Sequence, residues 1–309
     1  MRIYIDGSKR AAVSRMFPVW KKMGHMVVDD HRKADIQLSV VKIKVEKGLP
    51  TVLRLDGIYY DKADNYNQRN SKISKSHKKA NAVVYQSNFS KGMCEKYLAP
   101  RNTEIFDVIY NGVNKWDNFT EHTGINIISC SKWRRHKRLP EIVDIFNCLK
   151  KDYRHIKLHI VGPMRKGSRK IFNSDIIYYD MLDEKQMREI YRTGDIYIHL
   201  SKRDSCPSSV VESISAGIPI LTTNVCGGAT EMCELTKGCE IINEEEISYD
   251  PVYIYKENYN VLDYNVKNDI LKSIRKIISN KTRVSLPKEL TIENTARKYI
   301  DIMKRTLKG

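Results

Sequence analysis

The chain has no apolar run approaching the ~20 residues that would span a bilayer. It has no Cys-x-x-Cys pair, no heptads, no internal repeat and no low-complexity tract. Its seven cysteines (Cys94, Cys130, Cys148, Cys206, Cys226, Cys233 and Cys239) are odd in number, which argues against a disulfide framework and for the reduced thiols of a cytosol. The absence of Gly-x-Gly-x-x-Gly removes the fingerprint of a nicotinamide enzyme, and the absence of Gly-x4-Gly-Lys-Ser/Thr removes a P-loop. "MRIYIDG" passes from one arginine straight into a strand-like run, so no leader peptide is expected. Acidic residues are scarce beside basic ones, 37 against 54, which leaves a net charge of +17. That excess predicts an anionic partner: nucleic acid, an acidic membrane face or a phosphorylated ligand. The bland alternative is a solvated lysine-rich surface, and much of the charge is scattered in that way.

With 309 residues the chain suits two domains of ~150 each. Short β runs alternate with helical spacing. "RIYI", "HMVV", "ADIQLSVVKI", "PTVLRL" and "NAVVYQS" form one series, with a helical stretch over 11–23. The polar "KWDNFTEHTG" is the best linker. A second series follows in "INIISCS", "KLHIVGP", "DIIYY", "DIYIHLS" and "IPILTTN", alternating with helical segments at 139–151, 184–193 and 208–216. Strands alternating with helices imply parallel sheets covered on both faces, so the expected fold class is α/β with two Rossmann-like domains. The end of the chain reads as an amphipathic helix with Ala296, Tyr299, Ile300 and Met303 on one face.

"RDSCPSSVVESISAGIPI" (203–220) places Asp204 eight residues ahead of Glu212, astride a helix start. Pro207 suits the first turn, Gly217 the cap and Pro219 the region beyond the stop. Val210, Val211 and Ile214 share one side of that helix, with Glu212 on the other. Ligands of open α/β sheets bind beyond the carboxyl ends of strands, and unpaired amides near 207–210 suit a diphosphate. Carboxylates beside such a site accept hydrogen bonds from sugar or ribose diols. On spacing alone the bland reading is favoured, with Asp204 as a helix cap and Glu212 as a solvated acid. His155 and His159 sit in a strand-like run, where i, i+4 spacing does not make a metal pair. Cys206 reads as a small packing residue.

"DSCPSSVVESISAGIPILTTNVCGGATE" resembles the signature of retaining glycosyltransferases of the GT-B fold, glycosyltransferase family 4: an acid, seven residues, a Glu, Ala-x-Gly-x-Pro, then a glycine loop ending in Glu. "MGHMVV", "AVVYQSNFSK", "VIYNGVN" and "SCSKWRRHKRLPEIVDIF" resemble further pieces of that family in the right order, weakly at 60–80 and 240–285. The "RLDGIYYD" segment and the short loops resemble copies carried by phages and large DNA viruses. The resemblance implies two Rossmann-like domains whose parallel sheets face a central cleft. Residues 1–118 would form the acceptor-side domain, 119–289 the nucleotide-sugar domain, and 290–309 a helix returning to the first. It implies that Asp204 binds hydroxyls of the transferred sugar, one methylene short of the usual Glu, and that Glu212 holds the ribose. Lys132 and Lys137 match the basic pair that neutralises the diphosphate, with Arg138 where the family has Gly; Arg134, Arg135 and Arg138 could share that role. The backbone near Ser205, Cys206, Ser209 and Val210 lies by the diphosphate. Asp180 and Met181, after Tyr179, align with the segment that contacts the base. Gly7 and Ser8 match the glycine-rich loop, and Asp56 stands where many members have a catalytic-site His.

The implied activity is retaining transfer of a hexose, GDP-mannose first and a UDP-sugar second, to a glycan, glycolipid or glycoprotein acceptor. No metal or other cofactor is expected, and the chain has no Asp-x-Asp, the metal signature of the other main transferase fold. A cytoplasmic enzyme is expected, with peripheral contact to an acidic membrane and a homodimer both compatible with the sequence. The reading from a different class is a basic nucleic-acid-binding protein on an inactive scaffold, for which "SKWRRHKR" would suit phosphate backbones. No helix-turn-helix, zinc finger or RNP motif accompanies it, so nucleic acid is not the expected partner.

Overall fold

The computed structural model describes residues 1–7, 11–45, 48–60, 65–116, 119–164, 171, 173–250 and 262–309. Its contacts divide the chain into two units. One gathers Met1–Val113 and Lys288–Gly309 with a short piece beginning at Ser248; the other gathers Asn114–Ile247 and a piece ending at Pro287. The domain boundary expected at residue 118 lies outside the described residues.

The first unit holds a six-stranded parallel sheet of β1 (Arg2–Asp6), β2 (Met26–Val28), β3 (Ile36–Val40), β4 (Thr51–Leu55), β5 (Ala82–Tyr85) and β6 (Phe106–Val108), in the order β2-β1-β3-β4-β5-β6. The helical stretch expected over 11–23 is two helices, α1 (Ala11–Ser14) and α2 (Phe17–Lys22). Pro18 accounts for the break, since its ring clashes with the carbonyl four residues back and it lacks an amide hydrogen; it is tolerated only in the first turn of α2. Helices α3 (Tyr66–Lys79) and α4 (Asn88–Tyr97) follow.

The second unit repeats the plan with β7 (Ile125–Cys130), β8 (Ile156–Val161), β9 (Ile176–Tyr179), β10 (Ile196–His199), β11 (Ile220–Thr223) and β12 (Glu240–Ile242), in the order β12-β11-β10-β7-β8-β9, again all parallel. Helices α5 (Leu139–Leu149), α6 (Glu184–Tyr191), α7 (Ser208–Ser215), α8 (Gly228–Glu234) and α9 (Tyr264–Ser279) connect and cover it. The α5 stripe Ile142, Ile145, Phe146 and Leu149 packs with Ile127, Ile160 and Ile274 in its core.

The last helix, α10 (Ile292–Lys308), belongs to the first unit. Ala296, Tyr299, Ile300 and Met303 are buried on one face, and the Trp20 indole donates to the Ala296 carbonyl at 3.0 Å. Gly112 makes this docking possible: a Cβ there would lie 2.4 Å from Thr295 Oγ1 and 2.6 Å from the Thr291 carbonyl. Among the described residues no helix is long and apolar enough to cross a membrane.

In each sheet the chain reverses its direction of growth once, between β1 and β3 in the first unit and between β7 and β10 in the second. Loops on either side of such a switch point diverge and leave a crevice for a ligand. Gly7 follows β1. Lys132 and Lys137 follow β7, and Asp204 follows β10.

Candidate active site

At the switch point of the second unit, Lys137 forms an ion pair with Asp204 across 67 positions of sequence. His199, the last residue of β10 and 4% exposed, places Nε2 3.4 Å from Asp204 Oδ2. Burial alone would raise the Asp204 pKa, but the Lys137 ammonium and His199 together hold it well below the usual carboxylate range. Asp204 is therefore an anion, tied down and still partly accessible, with 18% of its side chain exposed. It does not cap α7: Pro207 is the N-cap, and no side chain caps that end. The Asp204 carbonyl accepts from the Gly228 amide at 2.7 Å, which ties the acid loop to the glycine loop opening α8.

Glu212 is half-buried on α7 rather than solvated. Burial first and the Glu212 charge second push the Cys130 thiol up to about 12. Burial likewise pushes up the hydroxyl of Tyr197, with Glu212 a smaller contributor. Tyr197 holds the end of β7 by accepting from the Cys130 amide at 3.2 Å and donating to its carbonyl at 2.9 Å. The Ser209 hydroxyl donates to the same carbonyl at 3.3 Å. Ser209 and Glu212 thus both address the end of β7, where the basic loop begins.

The other expected donor residues divide. Lys132 is exposed and Ser205 half-buried. The Val210 amide is taken by the Pro207 carbonyl at 3.1 Å and its side chain is in the core, so its amide is not open to a diphosphate as expected. Cys206 is buried, with Sγ 4.0 Å from Met232 Sδ, and so packs. Asp180 and Met181 follow β9 at the surface, Met181 being 78% exposed. Arg138 is a correction: it is fully buried, 2.8 Å from Glu244 and 3.7 Å from Glu141, so its charge serves these acids and not a phosphate. Its φ of +57° is the left-handed conformation that suits the glycine of the resembling family. His159 is held between Tyr179 and Asn126, as a packed histidine in a strand.

In the first unit, Gly7 has φ +120° and a Cβ there would meet the Val40 carbonyl at 3.2 Å, so the loop after β1 runs tightly past β3. Ser8 lies outside the described residues. Asp6, before that loop, is 2% exposed and accepts from Gln37, Ser39 and the amides of Lys44 and Val45, which fastens the loop after β3 to the end of β1. Asp56 follows β4, with 26% of its side chain exposed, and is paired with Arg54 and Gln86. Sequence reasoning passed over His199, Tyr197, Asp6 and Arg54. The available signal was a polar residue inside an apolar strand, which rarely stands there without a partner.

Residues 113–247 match the family model described as "Glycosyl transferases group 1". No curated protein matches the sequence. Among solved structures, the chain is similar to HepE of Anabaena in complex with UDP and glucose, at 12% identity and a TM-score of 0.64 over 98% of this chain and 99% of that one. It is similar to sucrose-phosphate synthase of Thermosynechococcus elongatus at 8% identity and a TM-score of 0.67, over 99% and 96% of the two chains. A glycosyltransferase of Rickettsia africae gives 16% identity and a TM-score of 0.60, over 100% and 98%. These likenesses give the fold, GT-B, along essentially the whole chain.

Proposed function

We propose that this chain, a glycosyltransferase with a group 1 domain over residues 113–247, transfers a hexose from a nucleoside diphosphate sugar with retention at the anomeric carbon. The observation that carries the reading is the Lys137–Asp204–His199 cluster at the switch point of the second sheet, beside the side-chain-free amino end of α7. Asp204 accepts from hydroxyls of the transferred sugar, Glu212 from the ribose, and Lys132 and Lys137 offset the diphosphate charge. A diphosphate so neutralised is a good leaving group, and electrostatic stabilisation of its departure is the main catalytic term. The anomeric C–O bond to the diphosphate breaks, the acceptor oxygen bonds to the same face, and the acceptor proton passes to the departing phosphate. Lysines and a helix end suffice for this without a metal ion.

The donors to try first are GDP-mannose and UDP-glucose, the latter because the Anabaena relative was solved with UDP and glucose. The acceptor class is a glycan, glycolipid or glycoprotein, and a glycolipid acceptor accords with peripheral contact to an acidic membrane. Calorimetric titration of the purified protein with both donors, with and without EDTA, tests the reading. Saturable 1:1 binding that survives EDTA and is lost in Glu212→Ala is expected. At 100 times its dissociation constant such a donor adds ~2.7 kcal/mol of stability, visible in melting. Absence of donor binding together with salt-sensitive binding to DNA or RNA would overturn it in favour of a nucleic-acid-binding scaffold.

A further inference from the structure

We propose that the second unit carries a saccharide-binding site at the edge of its sheet opposite the candidate active site, with a neutral sugar as its ligand. The site goes beyond the donor reading and does not depend on it. The polar segment expected as a linker folds onto the unit it precedes: its Thr120 amide donates to the Arg192 carbonyl, just past α6, at 2.8 Å. Phe119, Glu121 and His122 of that segment wall a cavity of about 540 Å³. Ile125, the first residue of β7, and Asp195, immediately before β10, form another side, and the end of α9 with Lys281 and Arg283 completes it. Lys132, Lys137 and Asp204 follow the other ends of β7 and β10, so cavity and candidate active site occupy opposite edges of one sheet. The volume is that of a small-molecule site.

Some of the lining groups are used by the fold. Asp195 accepts from Arg283 Nη2 at 3.0 Å and from the Asn126 amide at 2.8 Å. Arg283 Nη1 donates to the Gly194 carbonyl at 2.6 Å, and the guanidinium lies 3.5 Å from the centre of the Phe119 ring. Others are left over. Asn126 Nδ2 donates to His122 Nδ1 at 3.4 Å, which puts the proton of a neutral imidazole on Nε2. That Nε2 is buried, lies 3.4 Å from Asp195 Oδ2, and makes no hydrogen bond among the described residues. A buried donor without a partner costs free energy that a bound acceptor would recover. Lys281 and Glu121 are exposed and carry no ion pair among the described residues. Lys281 moreover stands where glycine is favoured. Its amide donates to the Ile278 carbonyl and the Thr282 amide to the Ile277 carbonyl, each at 3.1 Å, the pattern that ends a helix on a left-handed residue, and its φ is +46°. The charges balance, Lys281 against Glu121 and Arg283 against Asp195, so an ion of either sign meets repulsion as well as attraction. A sugar hydroxyl both donates and accepts. Glu121 receives from it, His122 and Lys281 donate to it, and Ile125, Ile277 and Ile278 offer an apolar wall to its C–H surface.

A second saccharide site tethers a glycan without reacting with it, and so favours acceptors of several sugar units. Saturation-transfer NMR with the methyl glycosides of glucose, mannose and N-acetylglucosamine, repeated in excess UDP, tests the assignment. At least one glycoside should bind with a dissociation constant of about 1 mM, with or without UDP. Glu121→Ala and Lys281→Gly should each weaken it about tenfold, the loss of one charged hydrogen-bond partner. The melting temperature should be unchanged in Glu121→Ala, at an exposed position, and raised in Lys281→Gly, so a loss of binding in either is not a loss of folding. Asp204→Ala, at the opposite edge, should bind the glycoside as the unaltered protein does. Absence of binding by all three glycosides, or binding that neither Glu121→Ala nor Lys281→Gly weakens, overturns the inference. Binding lost in Asp204→Ala would put the sugar in the candidate active site and overturn it too. Each of these results leaves the nucleotide-sugar reading to its own calorimetric test.

Discussion

At the scale of single residues, the short acid at position 204 is held by partners from two other segments of the chain. His199 and Lys137 both approach Oδ2, so the side chain is held from two directions. Lys137→Met should leave Asp204 half-supported and weaken a sugar nucleotide more than about tenfold, measured by the same titration. His77, His159 and His199 are each buried, and burial lowers the pKa of all three, that of His159 to about 4, with Lys157 and His122 adding to the effect. The sign follows directly. Below the ordinary histidine pKa of ~6.5 the unfolded chain takes up protons that these folded imidazoles refuse, so stability falls as the pH drops. For His159 the loss between pH ~6.5 and ~4 is on the order of 3 kcal/mol. Urea midpoints at pH 7.5 and 5 should differ in that sense, and His159→Gln should reduce the difference. A midpoint that rises on acidification would contradict the argument. Asp204 works in the same direction at lower pH, since its depressed pKa contributes stability above the usual carboxylate range that is lost as the pH falls through its own.

At the scale of elements, the strands were the legible part. Runs such as "INIISC" and "DIYIHL" are apolar because both faces of a parallel sheet are covered, and β7 and β10 lie within them. The short β12 was not legible: Glu240, Ile241 and Ile242 after a glycine carry too little pattern, and their partners in β11 fix them. The break between α1 and α2 was legible in Pro18, although the spacing of apolar residues concealed it. Glu212 was readable on the polar side of α7, but whether that side met water or the end of β7 depends on a neighbouring strand. Long-range pairs such as Lys137–Asp204 have no local signal. The start of α5 shows the same limit, because Arg138 in a glycine-like position read as a spare phosphate ligand. The fold instead pairs it with Glu244 and Glu141, and burial raises the carboxyl pKa of Glu141 even with Arg138 beside it. Arg138→Gly should relieve about 1 kcal/mol of left-handed strain yet lose about 3–5 kcal/mol by stranding buried acids. A net fall in the urea midpoint is expected, partly restored by adding Glu244→Gln. A stabilised Arg138→Gly protein would show that the ion pairs contribute little.

At the scale of the whole molecule, the net charge of +17 is far more than a diphosphate requires. Part of the remainder is gathered on one helix. Helix α3 carries Arg69, Lys72, Lys75, Lys78 and Lys79, all exposed, with no acid between Tyr66 and Lys79, while Ile73 and His77 face inward. A row of cations on the outer face of one helix suits an extended anionic surface better than a small ligand, and an acidic bilayer bearing a lipid-linked acceptor is such a surface. Each lysine near a bilayer with anionic lipid contributes ~1 kcal/mol, so changing Lys72, Lys75 and Lys78 together to Gln should weaken binding to phosphatidylglycerol-containing vesicles about a hundredfold. Sedimentation with such vesicles measures this directly. Raising the salt from about 0.15 to 0.5 M shortens the ~8 Å screening length and should release the unaltered protein as well. The melting temperature should hardly move in the triple variant, because all three side chains are exposed. Binding that persists in high salt, or that is equal on neutral phosphatidylcholine vesicles, would mean that the basic face is a solvated surface and that the acceptor is met in solution.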